Sequence, residues 1–474
     1  MIVAPRTPAS AALASVSMPI APDRQGFAYS REQFQSLVED VLRHAHDLGA
    51  SEAAAEVSEG CGLSVSVRKG ELENVERNRD KSLGVTLFVG RRRGNASSSD
   101  FSREAVEQCV RAAYDIARFT AEDPAAGLPE PEDIATPQEA ARDLDLFHPW
   151  AVNAEAAADI ARRCEDAAFA TDRGITNSEG AGVSAQQSHF WSGNSRGFRG
   201  GYASSRHSIS VAPIAGRGAG MQRDAWYSSM RDAAELASPE AVGRYAAERA
   251  LSRLHARKVG TREVPVLFES TLVAGLIGSF VQGVSGGALY RKATFLLDSL
   301  GKPVMAEHLD LDEDPHQPKG KASAPFDDEG VRTSRRRVVD GGVLRSYFLS
   351  SYSARKLGLR TTGHAGGAQN LRLSSRLTQP GDDLDAMLAK LDRGLFVTEL
   401  MGQGVNLVTG DYSRGAAGFW VEHGRIVHPV HEVTIASNLR TMLREAASLG
   451  ADEYTSGGKT AGSLLVPRMT LAGS

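Results

Sequence analysis

Hydrophobic positions first recur along the chain at helical spacing. Phe34, Leu37, Val38, Val41, Leu42, Ala45 and Leu48 share one face, Ser30 and Gln33 form a capping box, and Gly49 follows. An amphipathic helix is predicted between Ser30 and Gly49. The period then falls to two in the runs Ala54 to Glu59, Leu63 to Arg68, Glu71 to Glu76 and Ser82 to Val89, which Gly60, Gly62 and Gly70 separate. Four short antiparallel strands are expected, with the first helix packed on them. A second helix, Ser102 to Thr120, places Val106, Cys109, Val110, Ala113 and Ile116 on one face, so Cys109 reads as a core residue.

From Ala121 to Trp150 the chain is rich in proline and acid and has no period, as expected of a linker. Asn153 to Ala170 returns to helical spacing, and Ile175 to Tyr227, rich in serine and glycine, reads as strands and hairpins. Ser238-Pro239-Glu240 opens a further helix with proline at its first position, expected to run to about Gly260. Val264 to Phe268 is a β-branched strand candidate, and Leu272 to Val281 is helix-like. Ala288 to Leu297 is strand-like.

Two hairpins are signalled farther on. Val331 to Val339 and Val343 to Leu349 flank Asp340-Gly341-Gly342, and Phe419 to Glu422 and Arg425 to Val430 flank His423-Gly424. Ser437 is placed to cap the last helix, to about Leu449. Helices and strands mix without regular βαβ alternation, so the expected class is α+β with mainly antiparallel sheets. The expected parts are a disordered tail (1–28), an N-terminal α+β domain (29–120), a linker (121–150), a strand-rich central region (151–237) and a β-rich C-terminal domain (238–474).

The 474 residues allow two or three such units; 41% hydrophobic and 24% charged content are those of a globular chain. A net charge of -4 predicts no general affinity for polyanions. Three scattered cysteines, Cys61, Cys109 and Cys164, exclude a disulfide framework and indicate a reducing, cytoplasmic compartment. No apolar run reaches the ~18 residues of a membrane span. The first 27 residues hold one early arginine and small residues, but serine and proline break their apolar stretch, which is too short for a secretion signal.

Several motifs fail against their own chemistry. Gly283-Val284-Ser285-Gly286-Gly287 matches the nucleophile elbow of serine hydrolases, which requires a strand before Ser285 and a helix after it; the predicted order is the reverse. His431-Glu432 lacks the second histidine of a zinc helix, and Glu307-His308 is isolated in a loop. Asp310, Asp312 and Asp314 have calcium-loop spacing, but Pro315 and Lys321 stand where glycine and glutamate are required, leaving a solvated acidic turn. Gly458-Lys459-Thr460 ends like a phosphate loop whose leading glycine is replaced by Glu453. The triplets Arg91-Arg92-Arg93 and Arg335-Arg336-Arg337 read as solvated surface; nucleic acid is not expected as a partner.

The densest polar constellation runs from Gly402 to Trp420. Its glycines permit close backbone approach, while Asn406, Thr409, Asp411, Tyr412, Ser413 and Arg414 supply hydrogen-bonding groups and both charges. It reads equally as a structural crossing or a binding surface.

From Ser30 onward the chain resembles the TldD/PmbA family, in its PmbA (TldE) branch. The resemblance rests on Leu63 to Glu71, on Asn177-Ser178-Glu179-Gly180, on Ser285 to Lys292, and above all on Gly404 to Trp420. It implies a three-part α+β subunit that pairs with a TldD-type chain in a peptidase of unfolded or short peptides, with a homodimer open to the isolated chain. TldD-type chains carry HExxxH on the central helix and a cysteine near the C-terminus. Here Gly278, Ser279 and Gly283 occupy the corresponding helix positions, and the last cysteine is Cys164. A catalytic zinc needs about three protein ligands, so the resemblance implies no metal or cofactor in this chain and zinc in the partner. The block Asn406 to Arg414 is then expected to line the substrate cavity or the interface. Two other readings are a serine hydrolase using Ser285 and a nucleic-acid-associated modulator of DNA gyrase.

Overall fold

A computed structural model describes residues 26–473. Most of the predicted tail, residues 1–25, lies outside the described residues; Phe27 is 1% exposed and stacks on Phe147 and His189. The fold is α+β, built on three sheets.

The first sheet grows from two long strands, Glu52–Arg68 and Glu71–Val89, paired antiparallel from Glu52↔Phe88 to Arg68↔Glu71. The four short strands expected here are therefore two. Gly60 and Gly62 do not break the ladder, because neighbours pair with that stretch on both sides. Gly62 meets a close-approach requirement instead: a Cβ there would stand 1.8 Å from Oε1 of Gln186. Arg92–Ser98 closes one edge, and on the other side follow Ile175–Asn194, Ala203–Ala215 and the short edge strands Gln222–Arg223 and Trp226–Met230. The predicted N-terminal and central regions thus share one sheet.

Two pairs of helices cover this sheet. Arg31–Asp47, with the predicted Ser30–Gln33 capping box, and Arg103–Phe119 bury Phe34, Val38, Val41, Val106, Cys109 and Val110 against Val57, Leu83, Val85 and Leu87. Ala154–Thr171, capped by Asn153, and Pro239–Ser252, capped by Ser238, cover the other end. The second of these stops at Ser252, short of Gly260.

The segment 121–150 is ordered and packed. Ala126, Leu128, Ile134, Ala140 and Leu146 are buried, and Thr136 with Glu139 caps the turn Pro137–Ala140. Asp123 binds it to the helix Ser351–Leu357, accepting from Lys356 Nζ at 2.8 Å and Tyr352 Oη at 2.7 Å. Those bonds hold the Asp123 carboxyl down at about 2.

In the C-terminal part, the strand Arg262–Phe268 lies between Gly394–Met401, in parallel, and Leu464–Ala472, antiparallel. It leads directly into the helix Ser270–Gly283. Both predicted hairpins form, at Asp340↔Val343 and Glu422↔Arg425. Other expectations do not hold. Ala288 to Leu297 is not a strand: Leu289 N–H bonds the Ser285 carbonyl, the short helix Gly286–Tyr290 forms, and turns follow. The predicted acidic turn at Asp310 is the strand Leu309–Glu313, in which every residue but Asp312 is buried; Glu313, 2% exposed, is paired with Arg336 and His364. Arg336 is accordingly not solvated surface. The last helix is Leu439–Arg444, capped by Asn438; Ser437 stays in the ladder opposite Tyr412.

Candidate functional site: an open face on the central helix

The helix Ser270–Gly283 buries Val273, Leu276, Ile277 and Phe280, and presents Gly275, Gly278, Ser279 and Gln282 on its opposite side. These four positions are three and four residues apart, so they form one stripe. A Cβ at Gly275 would meet nothing within 4 Å, and at Gly278 only the Lys459 Cε at 3.8 Å. Neither glycine is required by packing. Gly283 differs: its Cβ would come within 3.1 Å of Phe295 and 3.2 Å of Leu296. Gly278, Ser279 and Gly283 therefore do not converge: Gly278 and Ser279 lie on the part-exposed side of the helix and Gly283 faces the core.

The donor set on the open stripe does not fit a metal. Glycine offers no ligand, the Ser279 hydroxyl donates to the Gly275 carbonyl at 3.1 Å, and Lys459 brings a cation alongside. Among the described residues, no three His, Cys, Asp or Glu side chains come together in a way that could hold a metal ion.

Charged residues not singled out in the sequence anchor the start of this helix. Arg249 donates to Glu269 Oε1 at 2.7 Å and pairs with Asp224 at 3.1 Å, while Arg253 pairs with Asp224 at 2.7 Å and with Glu399. Arg249 also lies over the Trp226 ring, which packs on Tyr245 and Tyr454. The edge strand Trp226–Met230 and the strand Tyr454–Ser456 here border a cleft of about 500 Å³.

The block from Gly402 comes to the same neighbourhood from behind. The Leu407 carbonyl accepts from Phe295 N–H at 2.8 Å, and Gly410 packs against the Phe295 ring. Within the block most polar groups answer one another. Asn406 Oδ1 accepts from the N–H of Val408 at 2.9 Å, Thr409 Oγ1 donates to Asp411 Oδ2 at 2.6 Å, and Asn438 Nδ2 donates to Asp411 Oδ1 at 3.2 Å. Ser413 N–H bonds the Gly404 carbonyl at 2.7 Å, and a Cβ on Gly404 would stand 1.5 Å from the Ser413 oxygen. Two groups are left over. The Tyr412 hydroxyl and Arg414 Nε are buried without a hydrogen-bond partner among the described residues. Burial pushes the Tyr412 phenol up to about 12. Asn406, Thr409, Asp411 and Ser413 are exposed.

The remaining motifs resolve simply. Ser285 lies between two helices and its hydroxyl donates to the Gln282 carbonyl at 2.9 Å, so no elbow forms. His431 and Glu432 lie in the strand Arg425–Asn438. Arg335 and Arg337 pair with Asp314 and Asp312.

Three consecutive domains of one family match this architecture: PmbA/TldA metallopeptidase domain 1 over residues 53–117, the central domain over 147–254 and the C-terminal domain over 261–473. The chain belongs to the PmbA/TldD metallopeptidase family. Within it the chain falls in the PmbA/TldE branch: it is 46% identical to metalloprotease PmbA of Escherichia coli O157:H7, over 93% of this chain and 97% of that one. It is 42% identical to the PmbA homolog of Haemophilus influenzae, over 94% and 97%. Among solved structures, a candidate modulator of DNA gyrase from Bacteroides thetaiotaomicron superposes with a TM-score of 0.87 at 26% identity, covering 94% of this chain and all of the other. TldE from Thermococcus kodakarensis shares the fold, with a TM-score of 0.78 at 19% identity over 92% and 100%. No helix of the described residues is long and apolar enough to cross a membrane.

Proposed function

We propose that this chain is the non-catalytic subunit of a heteromeric peptidase acting on unfolded or short peptides in the cytoplasm, in peptide maturation or degradation. Its partner is a TldD-type chain bearing HExxxH, and the zinc resides there. The observation that carries this reading is the open stripe Gly275, Gly278, Ser279 and Gln282 with Lys459 beside it. Hydrolysis at a zinc requires ligands and a carboxylate to take the water proton, and this stripe supplies neither. A bare helix face can still border a cavity that a partner completes. Met401 and Val408 stand exposed around the glycine-rich block, as suits a surface that another chain covers.

The test is metal analysis and peptide cleavage by the purified chain, alone and with a TldD-type chain added. No zinc in this chain and cleavage only by the pair are expected. Stoichiometric zinc together with cleavage by the chain alone would overturn the proposal.

A further inference from the structure

A second cleft, of about 380 Å³, lies on the first sheet, lined by Phe190, Tyr202 and Phe326 and by the rim loops 321–328 and 365–369. Lys321 lines this cleft and also the cleft of about 500 Å³ beside Trp226 and Tyr454, so it stands on the wall the two share.

Positive charge is concentrated around Lys321. Its carbonyl accepts from Arg206 Nη2 at 3.0 Å and from Arg231 Nη2 at 3.3 Å, so two guanidinium groups meet on one oxygen. Arg206 comes from the strand Ala203–Ala215, and Arg231 directly follows the edge strand Trp226–Met230. Arg231 is 8% exposed and donates also to the carbonyls of Gly320 at 3.0 Å and Ser205 at 3.4 Å. Arg206 and Lys321 are half-buried, and Arg206 makes no other hydrogen bond among the described residues.

No carboxylate answers these three cations. None of them has an ion-pair partner among the described residues. Of the acids that line the smaller cleft, Glu56 and Asp328 are exposed, and Asp327 is engaged by the N–H groups of Glu329, Val331 and Ala365. Burial pulls Arg231 down to about 10 and lowers Arg206 and Lys321. Arg206 deepens the fall of the other two, and no carboxylate offsets it.

Elsewhere in this fold, partly or fully buried arginines are neutralised by carboxylates, Arg249 by Glu269 at 2.7 Å and Arg336 by Glu313 at 2.6 Å. Carbonyl groups satisfy N–H donors but leave the net charge in place. Like charges gathered under partial burial without a counter-charge are unfavourable, and an anion relieves them. A tetrahedral oxyanion suits three cations better than a carboxylate does, because it offers more acceptor oxygens and carries more than one negative charge near neutral pH.

We propose that Arg206, Arg231 and Lys321 form a binding site for a phosphate-type oxyanion at the seam between the first sheet and the C-terminal part. Lys321 and the remaining N–H groups of Arg206 donate to the anion, while Arg231, already bound to carbonyls, adds its charge. Trp226, Tyr227 and Tyr454 line the larger cleft, so the oxyanion can be free phosphate or the phosphate of an ester with an apolar body. The inference does not depend on which subunit of a pair holds the zinc.

The experiment is calorimetric titration of the full chain with sodium phosphate, phenyl phosphate and sodium acetate, all at one ionic strength. Phosphate is expected to bind with a dissociation constant near ~1 mM, and acetate about tenfold more weakly. Lys321→Gln and Arg206→Gln should each weaken phosphate by about tenfold, as fits the loss of one charge-assisted hydrogen bond. The Lys321 side chain holds no other element, so the melting temperature of Lys321→Gln in phosphate-free buffer should match the parent. Tighter binding of phenyl phosphate than of phosphate assigns the ester, and equal or weaker binding the free ion. Acetate binding as tightly as phosphate, no heat from phosphate up to about 10 mM, or undiminished binding by both variants overturns the proposal.

Discussion

The glycine-rich block at Gly402 to Trp420 and the cleft beside Tyr202 place polar side chains in opposite ways. In the block, the carboxylate of Asp411, the amide of Asn406 and the hydroxyl of Thr409 find partners within a few residues or on the adjacent Asn438. In the cleft beside Tyr202, Glu56, Arg231 and the loop 321–328 that carries both Lys321 and Asp328 come from three separate segments, and these four side chains do not pair with one another. Density of polar residues in a sequence can therefore mark a turn that satisfies itself, while charged side chains left unpaired can be gathered from segments with nothing notable around them. Among buried side-chain atoms of the block, those left without a partner are the Tyr412 hydroxyl and Arg414 Nε.

The comparison can be broken most forcefully at Gly404. An added methyl must displace the Ser413 carbonyl that lies 1.5 Å from its position, so Gly404→Ala should destabilise the chain by roughly 3 kcal/mol or more. Urea unfolding reads this directly; an unchanged midpoint would show that the block is not a rigid turn.

On the cleft side, Asp327 joins the two rim loops by accepting from the N–H groups of Ala365, Val331 and Glu329, each at 2.9 Å. Burial, reinforced by Glu329, lifts its carboxyl from 3.8 to about 7 against the pull of those donors. The folded value lies above the unfolded one, so the protonated form stabilises the fold, and that contribution fades as pH rises through about 7. Melting temperatures across that range should fall for the parent chain and fall less for Asp327→Asn. Parallel curves would place the titration elsewhere.

Smaller effects separate the local roles. Asn406→Ala removes the acceptor for Val408 N–H and should weaken the fold by about 1 kcal/mol, with reduced cleavage by the reconstituted pair if the block lines its cavity. Unchanged stability, assembly and cleavage would detach Asn406 from both roles. Gly278→Ala carries the opposite sign, because its Cβ has room and alanine is the better helix former. A gain of about 0.5–1 kcal/mol is expected, and a loss would show that the stripe is packed by something not visible in the chain alone.

Much of the fold could be read from periodicity, because helix caps and amphipathic faces are local. Ser30 with Gln33, Ser102, Asn153 and Ser238 each open a helix as their spacing predicts, and Asp340 to Val343 turns as a hairpin. Where the reading failed, pairing partners distant in sequence were decisive. Gly60 and Gly62 remain in a strand because ladders flank them on both sides. Asp310 to Glu313 becomes a strand because Arg336, Arg376 and His364 arrive to neutralise its buried carboxylates. Ala288 to Leu297 turns helical, then irregular, where Gly286 must fit against Ser353.

The sequence by itself determined the α+β class and the family, since each depends on residue identity at local spacing. Only the tertiary structure decided that Gly278 and Gly283 face different ways, that Lys459 stands beside the open stripe, and that Arg206 and Arg231 meet at the Lys321 carbonyl. Helix phase, strand pairing and loop packing set those relations, and each is fixed by contacts between segments tens to hundreds of residues apart.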